Sequence, residues 1–156
     1  MACEFIYPAN QSVALNTPIL FNDSIPCRRG NVYHADGEGV FILRGNVNNQ
    51  CACFATYQVT YNGNITVPEG GTVPAGGIAI AITVNGEPKR SSRAITVPAA
   101  AGTDYGNVTS TAIIKVPRGC CFSVSVEPVA ASADPTVTPA PIIDVIDSNL
   151  VISRIA

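Results

Sequence analysis

The sequence predicts an all-β fold built as a two-sheet sandwich, and three observations carry that expectation. Tyr57, Val59 and Tyr61 alternate with Gln58 and Thr60, and Ile78, Ile80, Ile82 and Val84 alternate with Ala79, Ala81 and Thr83. A period of two commits one face of each segment to a core, and β-branched and aromatic side chains suit that pleated surface. No comparable run of helical period occurs. Turn-forming residues recur every ~8–12 positions between short apolar segments, which is the spacing of a sandwich or jelly roll.

The elements follow in order. Residues 1–12 form an N-terminal arm ahead of a domain over 13–156; the arm carries Pro8 and the apolar run Phe5, Ile6, Tyr7. Short strands are expected at Ser12–Asn16 and Ile19–Phe21, split by Pro18, a residue tolerated at edges and breaks. Ile25–Gly30 reads as a turn. Strands at Asn31–His34 and Val40–Arg44 flank Asp36-Gly37-Glu38-Gly39. Then come Ala52–Ile65, Gly76–Val84, a turn at Asn85-Gly86, and Ser92–Val97. Asn107–Val116 and Cys121–Val126 flank the tight connection Pro117-Arg118-Gly119. A long aperiodic loop, PVAASADPTVTPAP, precedes a final strand in which Leu150 and Ile152 oppose Val151 and Ser153.

Composition narrows the class. The chain has 156 residues, 47% hydrophobic but only 13% charged, about half the usual ~25%. So little charge suggests that copies of the chain or a partner cover much of its surface. A net charge of -2 argues against a nucleic-acid partner, which would leave a basic footprint. Arg28, Arg29, Lys89, Arg90 and Arg93 fall in turn-like segments and read as solvated loop charge. No apolar run approaches the ~18 residues of a membrane span, so no membrane partner is expected. The first ten residues contain Glu4 and no basic residue, unlike a secretory signal, which predicts cytoplasmic synthesis.

At VYHADGEGVFIL, ACFATYQVTYNGNI, GGIAIAITVNGEP, VPRGCCFSVSVEP and SNLVISRIA the chain resembles bacterial and phage-encoded jelly rolls of the C1q/tumour-necrosis-factor-like type. These are related to the C-terminal domains of collagen-like spore-surface glycoproteins. The resemblance covers roughly Val13 to Ala156. It implies a ten-strand, two-sheet jelly roll, a tight homotrimer, and a terminal strand central in the inner sheet. Two departures stand out: there are no Gly-X-Y repeats, and aromatic residues make up only 6%.

Catalytic chemistry is sparse. His34 is the single histidine, so a Ser-His-Asp or Cys-His mechanism would have to use it. It stands beside Asp36 and Glu38 in a glycine-rich turn, which reads more simply as a strand end than as a metal loop. Asp144 and Asp147 read as a solvated loop rather than a catalytic carboxylate pair. Gly70-Gly71 and Gly76-Gly77 introduce no helix and so form no phosphate cradle. No enzyme, cofactor or metal is expected.

The six cysteines are the anomaly: Cys3, Cys27, Cys51, Cys53, Cys120 and Cys121. Cys51 and Cys53 share a face, whereas adjacent Cys120 and Cys121 point apart. Cys-x-Cys with Cys-Cys is not the usual zinc spacing, leaving a tetrathiolate site as the weakest of three alternatives. The others are buried free thiols in a reducing cytosol, and disulfides within or between subunits formed after lysis. Cys3, in the arm, is the best candidate for an intersubunit bond.

The sequence therefore predicts a non-enzymatic structural protein. It would be a self-assembling homotrimer displayed on a bacteriophage virion as a capsid decoration or head-fibre protein, docked to the capsid lattice by Phe5, Ile6 and Tyr7. Two alternatives are a subunit of a disulfide-linked spore or cell-surface fibre, and a carbohydrate- or receptor-binding module. For the module, the loop Ala130–Pro141 and Tyr105 are the places to look.

Overall fold

A computed structural model describes residues 2–25 and 30–156. The turn expected at Ile25–Gly30 lies largely outside the described residues, as do Cys27, Arg28 and Arg29.

Among the described residues twelve strands, two more than the resemblance implies because short edge strands are added, form two six-stranded antiparallel sheets. The first sheet contains β1 (Ala2–Tyr7), β2 (Gln11–Ala14), β3 (Asp23–Ile25), β6 (Phe54–Thr66), β10 (Gly106–Pro117) and β12 (Ile142–Arg154). Its order is β10-β6-β12-β1-β3, with β2 also paired to β12. The second sheet contains β4 (Val32–Tyr33), β5 (Phe41–Arg44), β7 (Ile78–Val84), β8 (Glu87–Pro88), β9 (Ala94–Thr96) and β11 (Cys121–Val129). Its order is β4-β5-β11-β7-β8, with β9 on β7. One 3-10 turn, Arg90–Ser92, precedes β9. The all-β, two-sheet jelly roll is the fold the sequence predicts.

The core lies between the sheets and follows the alternation. Tyr57, Val59 and Tyr61 of β6 are fully buried, as are Leu150 and Ile152 of β12. Two tyrosines also carry polar links across the core. Tyr57 donates its hydroxyl to the Arg44 carbonyl at 2.6 Å, stapling β6 to β5. Tyr61 Oη lies 3.2 Å from Ser148 Oγ. Ser148 faces inward because β12 slips register between Ile146 and Asn149, with Asp147 at φ 54°. Such a bulge reverses which residues point into the core. At the other sheet's edge, Asn85 (φ 51°) and Gly86 (φ 83°) form the two-residue turn that the Asn-Gly pair predicts.

Three further expectations change. The arm is not an arm: β1 pairs with β12 from Ala2↔Ser153 to Tyr7↔Ser148, and with β3 on its other side. Domain 13–156 is therefore incomplete without residues 2–7. Pro8, taken as a mark of a detached arm, instead ends β1 where β12 bulges, and its carbonyl accepts from Asp147 N–H. Second, Ile19 and Phe21 are fully buried but form no strand, since Pro18 interrupts the ladder. Third, the last strand begins at Ile142, eight residues before Leu150.

Candidate self-association face and thiol rim

The outward face of the first sheet is assembled by register. One row across it runs Ile25, Glu4, Val151, Thr60, Thr111, and the next Asp23, Ile6, Asn149, Asn62, Thr109. A third runs Ala2, Ser153, Gln58, Ile113. In these rows the charged residues are Glu4 and Asp23, and Lys115 beside Thr56 and Asp144 beside Thr66 follow on the same face, so it is broad, mixed apolar and polar, with scattered charges of both signs. Its polar groups largely satisfy one another. Thr60 and Thr111 hydroxyls lie 3.3 Å apart, Asn62 Oδ1 accepts from Asn107 Nδ2 at 3.0 Å and Thr109 Oγ1 at 3.1 Å, and Asn149 Nδ2 donates to Glu4. A face already paired internally loses less when a partner displaces its water. The sequence expectation did not single out these side chains. Their signal was the uncharged series Gln58, Thr60, Asn62, Asn64 opposite the tyrosines of β6.

The residues expected to dock a particle lie elsewhere. Phe5 is 4% exposed, its ring centroid 4.6 Å from that of Phe41 and 5.0 Å from that of His34. Tyr7 packs partly against the core, and only Ile6 of the three belongs to the outward rows. A free docking arm is thus replaced by an integral strand, because Cys3 and Phe5 bury where the register with β12 puts them.

His34 is a packing residue. Its ring stacks on Phe41 at 4.3 Å and 12°, and Nε2 lies 2.8 Å from the Glu38 carbonyl. With Nε2 donating, Nδ1 is buried without a partner. Asp36 and Glu38 are exposed on the adjoining turn. Among the described residues no three His, Cys, Asp or Glu side chains are placed to hold a metal ion. Asp144 accepts from Ser12 Oγ at 2.7 Å, while Asp147 sits exposed on the bulge.

Two concavities open at opposite ends of the sandwich. One, about 570 Å³, lies between the loops bearing Val67, Pro68, Pro74, Pro139, Ala140 and Ile142. It draws on the end of the Ala130–Pro141 loop, but Tyr105 does not line it. The other, about 590 Å³, is polar, lined by Asn31, Asn46, Val47, Asn48 and Arg154.

The cysteines divide. Cys3 is 1% exposed and disulfide-bonded, so the residue expected to link subunits is not available to do so. Cys51, Cys53, Cys120 and Cys121 are free and exposed, not buried as one expectation had it. Cys53 and Cys120 are held in one rim: Arg118 N–H donates to the Cys53 carbonyl at 2.9 Å, and Gly45 N–H to the Cys120 carbonyl at 2.8 Å.

Burial shifts three titratable groups. It pushes the Tyr61 phenol up to about 12, with Ser148 partly opposing. It raises Tyr57 too, against the lowering effect of Arg154. It also lifts the Glu127 carboxyl above its ordinary value, offset in part by Ser125 Oγ, which donates to Oε1 at 3.1 Å. A carboxyl that binds its proton more tightly when folded favours the fold below the unfolded-state pKa. That contribution is lost as pH rises through the folded value. Glu127→Gln should therefore raise the Tm at pH 7 by about 1–2 °C after solvent screening. The difference should vanish below about pH 4, where both forms are neutral. An unchanged or lowered Tm at pH 7 would show that the carboxylate is stabilising where it sits.

No family model and no curated protein matches the sequence. Solved structures do. The globular domain of zebrafish complement 1qA matches with a TM-score of 0.60 at 12% identity, over 99% of this chain and 97% of that one. Murine APRIL at pH 5.0 matches at 0.55 and 12%, over 99% and 98%. Eiger TNF from S. frugiperda matches at 0.56 and 9%, over 100% and 92%. Whole-chain coverage on both sides, together with the two antiparallel sheets of this chain, makes its fold a jelly roll of the C1q/TNF type.

Proposed function

We propose that this chain is a non-enzymatic structural protein that assembles as a homotrimer through the outward face of the β10-β6-β12-β1-β3 sheet. The observation that carries the reading is that face: wide, mixed apolar and polar, and with its Asn and Thr side chains already hydrogen-bonded among themselves. Three heterologous contacts close into a ring, covering such a face without propagating into a filament. The resemblance to C1q/TNF-like jelly rolls implies the same trimer.

Native mass spectrometry should give a species three times the 16.2 kDa chain. Thr60→Arg, which puts a charge into the first row between Val151 and Thr111, should give a folded single chain of about 16.2 kDa instead. A single chain from the unaltered protein would remove the reading.

Display on a bacteriophage virion, as a capsid decoration or head fibre, belongs to the same proposal. The low share of charged residues supports it. With β1 built into the sheet, attachment to the capsid falls to some other surface than Phe5, Ile6 and Tyr7. Proteomics of purified particles should find the chain at a fixed ratio to the capsid protein; its absence would point to a spore or cell surface. The apolar 570 Å³ cleft favours a second reading, a ligand-binding module, in which that cleft takes the ligand.

A further inference from the structure

The four exposed cysteines gather at one end of the sandwich. Cys51 and Cys53 lie on the loop leading into β6, and Cys120 and Cys121 on the turn into β11. Residue register brings these segments together: Phe54 pairs with Pro117, and Cys121 with Arg44 at the end of β5. Arg118 Nη1 donates to the Gln50 carbonyl at 3.0 Å, and Gly119 N–H to the Gly45 carbonyl at 3.1 Å, tying the loop to the turn. Cys3 is disulfide-bonded in the same structure, yet these four thiols are free. They are therefore not paired within one chain. Adjacent Cys120 and Cys121 point to opposite sides, which leaves each directed away from the other.

The opposite end is different. Its loops, residues 67–77, 97–105 and 130–141, contain no cysteine. Among the described residues, therefore, a rim thiol that reaches into a second copy meets a free thiol on that copy's rim and none at its opposite end. The occupant of this surface is fixed by that asymmetry, because head-to-tail bonding has no partner sulfur among the described residues.

We propose that the rim of Cys51, Cys53, Cys120 and Cys121 is a redox junction at which two assemblies of this chain join end to end through disulfides. The contact is isologous, rim against rim, so it closes after one doubling and builds no filament. This deepens the structural reading above, but the doubling holds whether the unit that pairs is a trimer or one chain. For each bond, a rim thiolate attacks an oxidised glutathione, forming a mixed disulfide and releasing one glutathione thiolate. A thiolate from the facing rim then displaces the second. Two protein thiols lose two electrons and two protons, and one glutathione disulfide becomes two thiols. Three arginines, Arg44, Arg118 and Arg154, stand at the same end and repel across the junction. High salt, which shortens the screening length to about 3 Å at 1 M, should speed joining.

The test uses the full chain in 1 M salt with oxidised glutathione, read by native mass spectrometry and by non-reducing gels. The expected result is a native mass twice that of the reduced sample and no larger, with chains covalently linked and released by dithiothreitol. The quadruple variant Cys51→Ser, Cys53→Ser, Cys120→Ser, Cys121→Ser should keep the reduced mass under oxidation. Four results overturn the proposal: no doubling, linkage without doubling, a ladder of higher multiples, or doubling that survives in the variant. Failure of the trimer reading would show separately, in the mass of the reduced sample.

Discussion

Leu150→Asp should abolish folding. Leu150 is fully buried at the middle of β12, in register with Phe5 on one side and Tyr61 on the other. A carboxylate there would sit in the apolar core between Phe5 and Tyr61. Burying it costs at least several kcal/mol, of the order of the ~5–15 kcal/mol that holds a whole domain together. Ser153→Asp is the matched control. Ser153 lies on the outward face of the same strand, within the proposed trimer contact, so a charge there can disturb assembly but leaves the core of the single chain intact. Circular dichroism and thermal melts should show an unfolded or insoluble Leu150→Asp and a native Ser153→Asp. Equal tolerance of the two would mean that the faces of β12 are reversed.

Gly45→Val should lower the Tm by about 10 °C. Gly45 is buried where the end of β5 passes the turn between β10 and β11. A Cβ added there overlaps the Pro117 carbonyl, and the Cys120 carbonyl oxygen stands 3.2 Å away. Both obstacles are backbone, which cannot swing aside as a side chain does. Relief requires parting the loop from the turn, losing the bonds from Gly45 N–H to Cys120 and from Gly119 N–H to Gly45. Overpacking of about 1–3 kcal/mol plus two hydrogen bonds near 1 kcal/mol each gives about 3–5 kcal/mol. At about 2–4 °C per kcal/mol this is a large shift for a domain of this size. A Tm within 3 °C of the unaltered protein would mean that the rim is not pinned at Gly45.

Where the chain alternates without interruption, the sequence was legible. Tyr57 to Tyr61 and Ile78 to Val84 announce their strands and their buried faces from neighbouring residues alone. β1 was not, for two reasons. Phe5, Ile6 and Tyr7 are all apolar, so no contrast marks which side is inward. Its partner, β12, is also more than a hundred residues away, and nothing local specifies that pairing. The early half of β12 was hidden by its own bulge, which breaks the period between Ile146 and Asn149. The cysteines were visible as a set, but not their division. Adjacency in sequence does not tell that Cys3 is buried while Cys51 and Cys120, 69 positions apart, share one rim. The pairing of β6 with β10 decides that.

The order of β12 in the sheet has a consequence for how the protein is made. The strand that joins β6 to β1 is the last to be synthesised, so the first sheet stays divided until residues 142–154 emerge. Until then β6 exposes one 13-residue edge, a template for pairing with another chain. Closing this gap draws together segments more than a hundred residues apart, and folds dominated by such distant pairings form in milliseconds to seconds rather than microseconds. A ribosome stalled before Ile142 would therefore hold a chain that is long, apolar and unable to finish. Nascent copies on neighbouring ribosomes would meet in that state, edge to edge, before any of them could reach its own last strand.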